Sequence, residues 1–336
     1  MPKDTFISKL LTLRLQMASI LFLGASGQVG GAFLTVFRKA YPDTPITAYL
    51  RSTTLDEALT SLGNINIVHG TFEEPDRVEE LAATHSIIIN CAGSFNPPLT
   101  AAILKGMKNT KALTPSDRRP ILLHFSGTGN FQPQPRPQDR RELPPNGATD
   151  EMILAAAARG DFNALFVCPG GIFGQSADHV GLKTGDASAR AAGVWVEWSL
   201  KNVQNLGFSP YIGPGTSIIR LVHVDDVVSL AMLVYKRALE TWETYKPEDV
   251  YSHFYVCVDE TVESKVVAEA YAELLVREGK IGEKEARKVG YEEAGTTAYY
   301  SAGNTMVEPV RAAELGWKPK NRKKFLETLK ESKYFA

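Results

Sequence analysis

The sequence predicts an α/β protein in which helices cover both faces of a parallel sheet and a smaller carboxyl-terminal subdomain follows. Over the first 170 residues, short apolar runs alternate with helical segments, as in successive βαβ units. The runs are continuous stretches of Ile, Leu and Val, which is typical of strands buried on both faces. Beyond residue 168 the pattern is mixed, and turns rich in glycine and proline separate the elements.

The elements are predicted in order from these runs. Strands are expected at residues 19–23, 45–50, 65–69, 86–90, 120–125 and 164–168, with helices at 28–40, 54–62, 74–83 and 99–107. A proline-rich irregular stretch at 131–145 precedes a helix at 151–159, for which Asp150 is expected to be the N-cap. Later elements are a helix at 187–202, a strand at 221–224, a helix at 225–239, a strand at 251–258 and helices at 263–278 and 323–332.

Composition excludes several classes of function. The chain has 336 residues, of which 44% are hydrophobic, enough to bury a core without metal or disulfides. A net charge of −1 gives no basic surface for nucleic acid or anionic lipid, and the three cysteines form no C-x-x-C pair. We therefore expect no nucleic-acid or membrane partner, no metal site and a cytoplasmic, reducing location. A monomer and a homodimer both stay open.

A glycine-rich loop at residues 24–30 (GASGQVG) follows the first predicted strand and begins the first helix. Gly24 would allow the tight turn, Gly27 the approach of a pyrophosphate to the backbone, and Gly30 the close packing of helix on strand. The helix N-terminus offers unpaired N–H groups to the phosphates. The loop therefore predicts a Rossmann-type, doubly wound sheet that binds a dinucleotide, with Ser26, Gln28 and Val29 among the contacting residues.

The end of the second strand indicates which dinucleotide is bound. An NAD site would place Asp or Glu there for the ribose 2′-hydroxyl, whereas this chain has Arg51 and Ser52. The planar guanidinium of Arg51 suits a 2′-phosphate, with help from the Ser52 hydroxyl. We therefore expect NADP, with NAD as the alternative; a solvated surface arginine is the competing interpretation.

Five further motifs carry a family resemblance: NCAG at 90–93, FSGTG at 125–129, CPGGIFG at 168–174, VHVDDV at 222–227 and LGWKP at 315–319. With the loop, they make the chain resemble the extended and atypical short-chain dehydrogenase/reductases, in particular the NAD(P)-dependent epimerase/dehydratase-like and NmrA-like branches. The resemblance covers nearly the whole chain from Met17 onward. It implies that the loop and Arg51 hold the adenosine half and the pyrophosphate. It also implies cofactor contacts from Cys91, Ala92, Gly93, Ser126, Pro169, Gly170 and Ile172.

The resemblance implies a division of the chain as well. Residues 17–174, continued by 216–240 and 250–260, would form the dinucleotide-binding domain, and residues 175–215 and 261–336 a smaller substrate-side subdomain. Residues 1–16 would be an extension: a targeting segment, an extra helix, or a translation start upstream of the true Met17. Asp4 and the scarcity of Ser and Arg fit a transit peptide poorly, so we favour the last two.

The catalytic pair of the family is absent. These enzymes use Tyr-x-x-x-Lys to move a proton during hydride transfer, yet the chain has no tyrosine between Tyr49 and Tyr211. None of its twelve tyrosines has a lysine four residues later. Counting back from Pro169 by the family spacing leads to Glu142 and Asn146.

Several residues are candidates to take over the acid/base role of the absent Tyr-x-x-x-Lys pair. Ser126 keeps the family's serine position and could orient a carbonyl, or it could be a strand-end serine; Glu142 is a second candidate. Asp150 and Glu151 are also carboxylates, but a helix-cap or solvated position is favoured for them. Strand alternation is taken to direct His124 away from the face of Ser126, which makes it structural.

Other polar residues are placed as follows. His223 and Asp225 are interpreted as structural, and His179, Lys183 and Tyr211 as candidate substrate-side groups. Cys91 and Cys168 are interpreted as small apolar residues rather than nucleophiles.

Three functions stay open. The favoured one is an NADP-dependent oxidoreductase acting on a carbonyl or related group of a small metabolite with non-standard catalytic residues. The others are a non-redox isomerase or lyase that retains the nucleotide, and a non-catalytic, NADP-sensing regulator.

Overall fold

The computed structural model describes residues 18–110, 118–131, 146–182, 184–185, 193–295, 301–320 and 323–331. The predicted extension at residues 1–16, Glu142 and Lys183 lie outside the described residues.

A seven-stranded, wholly parallel sheet forms the centre of the molecule, in the order β3-β2-β1-β4-β5-β6-β10. Its strands are β1 (Ile20–Leu23), β2 (Ile46–Leu50), β3 (Ile65–His69), β4 (Ile87–Asn90), β5 (Ile121–Phe125), β6 (Asn163–Pro169) and β10 (Phe254–Cys257). The order reverses between β1 and β4, which is the switch point where such sheets bind ligands. The predicted Rossmann-type fold is confirmed.

Helices cover both faces of this sheet, and side chains alternate between two cores along each strand. They are α1 (Gln28–Ala40), α2 (Asp56–Thr60), α3 (Pro75–Ala83), α4 (Pro97–Lys108), α5 (Gly147–Ala158) and α7 (Val224–Glu240). Phe22 of β1 packs with Phe33 of α1 in one core, whereas Leu21 packs with Ile103 of α4 in the other. Each fully buried side chain of this size contributes roughly 1.5–3 kcal/mol.

The carboxyl-terminal half adds a second, smaller layer. Strands β7 (Gly171–Phe173), β9 (Ile218–His223) and β11 (Glu260–Glu263) form a mixed three-stranded sheet, and β8 (Pro210–Ile212) pairs with β12 (Arg287–Val289). Helices α6 (Val194–Leu206), α8 (Ser264–Arg277) and α10 (Phe325–Glu331) pack on the three-stranded sheet around Leu221 and Phe325. A short helix, α9 (Val310–Glu314), lies near β10.

Three predicted elements are corrected. The strand predicted at 221–224 begins at Ile218 and belongs to the small sheet rather than to the central one. The strand predicted at 251–258 begins only at Phe254, because residues 247–253 form a 3₁₀ turn. Within the described residues, the helix predicted at 187–202 covers Val194–Leu206 and ends where Gly207 takes a left-handed conformation with φ of +78°.

The two carboxyl-terminal motifs pack against each other. The indole Nε1 of Trp317 donates to the Asp226 carbonyl at 3.0 Å, and the Lys320 amide donates to Asp226 Oδ1 at 3.0 Å. His223 is the N-cap of α7, because its Nδ1 accepts from the Asp225 amide at 3.2 Å. His223 and Asp225 therefore have the structural role predicted for them.

Candidate functional site

A cleft of about 580 Å³ lies at the carboxyl ends of β1, β4, β5 and β6, where the strand order reverses. Most of the predicted site residues line it: Gly24, Ser26, Gly27, Gln28, Val29, Arg51, Cys91, Ala92, Ser126, Pro169, Gly170 and Ile172. Gly30, Ser52 and Gly93 are outside its lining. The structure thus brings together predicted residues from five separate segments of the sequence.

The glycines of the loop at residues 24–30 differ in what surrounds them. Gly24 has φ of +86°, and an added Cβ would lie 2.9 Å from the Ala92 nitrogen. A Cβ on Gly30 would lie 2.0 Å from the Gly24 carbonyl oxygen. A Cβ on Gly27 would meet nothing closer than that same oxygen, at 3.4 Å. Gly24 and Gly30 are therefore required by the backbone itself, whereas the space beside Gly27 is open toward the cleft.

Two side-chain hydrogen bonds, from His179 and from Gln28, hold this loop in place. His179 Nδ1 accepts from the Gly181 amide at 3.0 Å, so the proton is on Nε2, which donates to the Gly27 carbonyl at 3.0 Å. Gln28 Nε2 donates to the Gly174 carbonyl at 2.7 Å. His179 is buried and does not line the cleft, so its prediction as a substrate-side group is wrong. Tyr211 also lies away from the cleft, with the ammonium of Lys265 over its ring.

Arg51 lies at one end of the cleft, beside a floor made by Tyr49 and Gly70. The Tyr49 hydroxyl donates to the Thr71 carbonyl at 2.9 Å, and a Cβ on Gly70 would lie 2.2 Å from that hydroxyl. Arg51 is exposed and has no hydrogen bond or ion pair to any residue that the structure describes. The Ser52 hydroxyl is 2.7 Å from that of Thr54. The guanidinium is thus available to an anion at this end.

Asn90, the last residue of β4, connects the cleft floor to a buried histidine. Its Oδ1 accepts from the amides of Ala92 and Gly93 at 3.1 and 3.3 Å, which fixes the orientation of the carboxamide. Its Nδ2 therefore donates to His124 Nδ1 at 3.2 Å. Because Nδ1 accepts, the proton of the neutral imidazole is on Nε2.

Asp150 is the centre of a buried polar network next to the cleft. The Ser126 hydroxyl donates to its Oδ2 at 2.5 Å, and Asn130 Nδ2 donates to the same oxygen at 2.6 Å. His124 Nε2 lies 3.4 Å from the other oxygen, Oδ1, without a hydrogen bond between them, and both buried atoms lack a hydrogen-bond partner among the described residues. Two donors therefore bond one oxygen of the carboxylate, and of the four side chains Ser126 reaches the cleft.

Two predictions about this network are wrong. Asp150 is not an N-cap: Asn146 holds that position, and Asp150 lies one turn inside α5, only 3% exposed. His124 does not point away from Ser126, because residues two apart on a strand share a face, and both contact Asp150. Asn146 lines the cleft four residues before Asp150, the same spacing as in Tyr-x-x-x-Lys. The four-residue spacing from Asn146 to Asp150 and the two-residue period that puts His124 and Ser126 on one face of the strand were the sequence signals that could have predicted this network.

The cysteines are poor nucleophiles here. Cys91 lines the cleft, yet burial of its thiol raises its pKa well above the usual value. Burial likewise raises the pKa of Cys168, which lies beside Asp150, and of Cys257. A thiol with a raised pKa stays protonated near neutral pH, which supports the interpretation of these residues as apolar packing groups.

The other end of the cleft is aromatic. Phe95, Trp195 and Trp198 line it together with Ile219 and Arg220. Sequence patterns did not single out these rings, because they come from a loop after β4 and from α6, which only the folded chain brings together.

Comparison with known proteins supports the fold. No family model matches the chain. The oxidase ucsJ of an Acremonium species is 28% identical over 112 residues, which span 32% of this chain and only 30% of that oxidase.

Many solved structures match over almost the whole chain, and two of them illustrate the likeness. The PbgP3 protein of Burkholderia pseudomallei is 13% identical, with a TM-score of 0.63, over 94% of this chain and 95% of its own. A UDP-glucuronic acid 4-epimerase of Bacillus cereus, in complex with UDP-glucuronic acid and NAD, is 11% identical, with a TM-score of 0.57, over 94% and 97% of the two chains. The chain therefore has the fold of the NAD-dependent epimerases and dehydratases, as its motifs predict.

Proposed function

We propose that this chain is an NADP(H)-dependent oxidoreductase that acts on a carbonyl or alcohol group of a small metabolite. The observation that carries the proposal is the cleft itself. It runs from the phosphate loop to Ser126, whose hydroxyl is bonded to the buried carboxylate of Asp150. A nucleotide site and a proton-handling group thus share one cavity.

The residues present fit a dinucleotide. The backbone at Gly27 is open to the cleft, and α1 begins there with no side chain capping its N–H groups. These groups and the helix dipole would hold the pyrophosphate. Pro169, Gly170 and Ile172 would flank the nicotinamide, which supplies or accepts a hydride when bound.

NADP rather than NAD is proposed because of Arg51. Its exposed guanidinium lies at the far end of the cleft without an acidic partner among the described residues. A 2′-phosphate would pair with it through two parallel N–H groups.

Ser126 and Asp150 are proposed to replace the absent Tyr-x-x-x-Lys pair. The serine hydrogen points at Asp150 Oδ2, so the lone pairs of Oγ are left for the cleft. In oxidation, a substrate alcohol would give its proton to Ser126 Oγ while Ser126 passes its own proton to Asp150. The substrate carbon loses a hydride and becomes a carbonyl; reduction runs the same path in reverse. Asn130 holds the carboxylate in place by a hydrogen bond, and His124 Nε2 lies 3.4 Å from its other oxygen. Glu142 stays a second candidate from the sequence.

The extent of the cleft supports an enzyme over a non-catalytic sensor. Its lining extends past Ser126 and Ile172 to Trp195 and Trp198, beyond the residues proposed to hold the dinucleotide, which suits contact with a substrate. Within the described part of the chain, no helix is both long and apolar enough to cross a membrane.

Hydride transfer is the test of the redox proposal. We expect NADPH that carries deuterium at one face of the nicotinamide to transfer the label stereospecifically to a carbonyl substrate from a broad panel. If NADPH binds and no label leaves it for any member of the panel, an isomerase or lyase that retains the nucleotide replaces this proposal.

Arg51→Ala tests the cofactor preference. We expect the NADPH dissociation constant to rise at least about tenfold, since a charge-assisted pair is worth about 1.5–3 kcal/mol, with little change for NADH. Arg159→Ala is the matched control, because Arg159 is exposed and pairs with Asp161 outside the cleft. Equal losses for both cofactors would contradict the preference for NADP.

Asp150→Asn tests the proton path. We expect kcat to fall about 10²-fold or more, as for removal of a general base, while NADPH affinity stays unchanged. Ser126→Ala should give a similar loss, and the double variant should lose no more than either alone, because the two act as one unit. Asp161→Asn is the control carboxylate. Losses that multiply in the double variant would show that the two residues act separately.

A further inference from the structure

The substrate end of the cleft exposes large aromatic rings. Phe95 and Trp198 are 47% and 46% exposed, although most large apolar side chains of the described chain are buried. Their ring centroids are 6.2 Å apart at an interplanar angle of 40°. Exposed aromatic rings that line a cavity are typical of a ligand-binding surface, because a fold that binds no ligand would normally bury such large apolar side chains.

A third ring at this end, Trp195, is held in place by packing. Trp195 lies against Tyr271 and Phe325, at centroid distances of 6.3 and 5.6 Å, inside the core of the smaller layer. A Cβ on Gly171 would lie 3.1 Å from the Trp195 ring, so the glycine lets the indole lie close to strand β7. Ser94, next to Phe95, accepts a hydrogen bond from Thr149 of α5 at 2.6 Å.

The charge at this end does not suit a diphosphate. Arg220 is the cation among the described lining residues here, and both terminal nitrogens of its guanidinium face protein partners, while its Nε is buried without a partner among the described residues. One terminal nitrogen donates to Thr261 Oγ1 at 2.8 Å, and the other lies 3.6 Å from Glu308. The other lining arginine, Arg51, is at the opposite end of the cleft.

We propose that this cleft takes a flat, uncharged, apolar substrate, an aromatic or conjugated carbonyl compound or its alcohol, rather than a nucleotide sugar. The proposal rests on the proposed function, which assigns the loop end of the cleft to the cofactor and makes the substrate a carbonyl compound or its alcohol. A third ring between two others needs about 7 Å, twice a contact distance of roughly 3.5 Å. Phe95 and Trp198 are too close and too tilted for that, so the substrate lies across their cleft-facing sides.

Binding of the planar ketone 2-acetylnaphthalene tests this inference. It is titrated into the full chain with and without saturating NADP, beside UDP-glucose, and the dissociation constants are measured by calorimetry. We expect the ketone to bind and UDP-glucose not to bind. Trp198→Ala should weaken ketone binding about tenfold, which corresponds to about 1.4 kcal/mol, and Trp198→Phe should restore most of it. The NADPH dissociation constant should be the same in all variants.

Tyr251→Ala is the control, since Tyr251 is 69% exposed but lies outside the cleft lining. Tighter binding of UDP-glucose than of the ketone would overturn the inference, and so would an unchanged ketone affinity in Trp198→Ala. In either case, normal NADPH binding would leave the cofactor proposal standing. Ketone binding that depends on Trp198, without any NADPH binding, would confirm the aromatic site and reject the cofactor proposal.

Discussion

Two glycines of the loop at residues 24–30, Gly27 and Gly30, are present for different physical reasons. Gly30 cannot carry a side chain because its Cβ would overlap the Gly24 carbonyl oxygen at 2.0 Å. Gly27 has an ordinary φ of −79°, and its Cβ would point into open space beside the cleft. The fold itself excludes a side chain at Gly30, whereas nothing in the protein excludes one at Gly27, where the proposed pyrophosphate would approach the backbone.

Substitution by alanine should separate these two roles. We expect Gly27→Ala to keep its free energy of unfolding within about 1 kcal/mol of the parent and to raise the NADPH dissociation constant at least about tenfold. Gly30→Ala should lose about 3 kcal/mol or more of stability, because a backbone atom cannot move aside. Chemical denaturation and NADPH titration measure both. Normal NADPH binding by Gly27→Ala would show that the pyrophosphate lies elsewhere.

At the scale of single elements, the 3₁₀ turn Pro247–His253 shows how an edge strand is anchored. Tyr245, just before it, exchanges hydrogen bonds with the backbone of Ala164 on β6, at 3.2 Å in each direction. The His253 ring stacks on Tyr245 at a centroid distance of 4.5 Å. Burial and the nearby Arg237 lower the pKa of His253 to about 4. The histidine is therefore packed as a neutral ring.

This burial makes stability depend on pH. The unfolded chain protonates His253 near pH 6.5, whereas the folded chain does so only near pH 4, so stability falls as the pH falls through this window. We expect a loss of roughly 1–2 kcal/mol from this partly exposed ring. His253→Phe keeps the stacking and should flatten the profile between pH 4 and 6.5 in denaturation experiments. His85, whose pKa burial also lowers, contributes to both profiles and cancels in the difference. Parallel profiles would contradict this account.

The elements of the central sheet were predictable because their signals are local. Strands β1 to β5 lie within one residue of their predicted ends, since continuous apolar runs mark strands buried on both faces. The strand β9 was predicted, but not the sheet to which it belongs, because its partners, β7 and β11, are set by long-range packing. The phosphate loop was likewise found from one segment, whereas the network at Asp150 joins residues 90, 124, 126, 130 and 150. The sequence pattern of a single segment cannot predict a contact between side chains that come from β4, from β5 and the turn after it, and from α5.

At the scale of the whole molecule, Trp317 connects a late segment of the chain to helix α7, which packs on the central sheet. Trp317 is 4% exposed, and its Nε1 donates both to the Asp226 carbonyl and to the Ser229 hydroxyl, each at 3.0 Å. Helix α7 follows directly on β9, so the small sheet and the central sheet are connected without a linker at His223. We propose that the two parts unfold as one cooperative unit.

Trp317→Phe tests this proposal, because phenylalanine keeps the apolar packing and removes the two hydrogen bonds. The Asp226 carbonyl still accepts from Ser229 Oγ at 2.8 Å, so no acceptor is left buried and unsatisfied. We expect the free energy of unfolding to fall by about 1–2 kcal/mol. Amide hydrogen exchange should accelerate by the same factor in β1 of the central sheet and in β9 of the small one, since a global opening exposes both. Faster exchange in β9 alone would instead mean that the small sheet opens as a separate unit. It would also contradict the predicted division of the chain, which assigns residues 216–240, and with them β9, to the dinucleotide-binding domain.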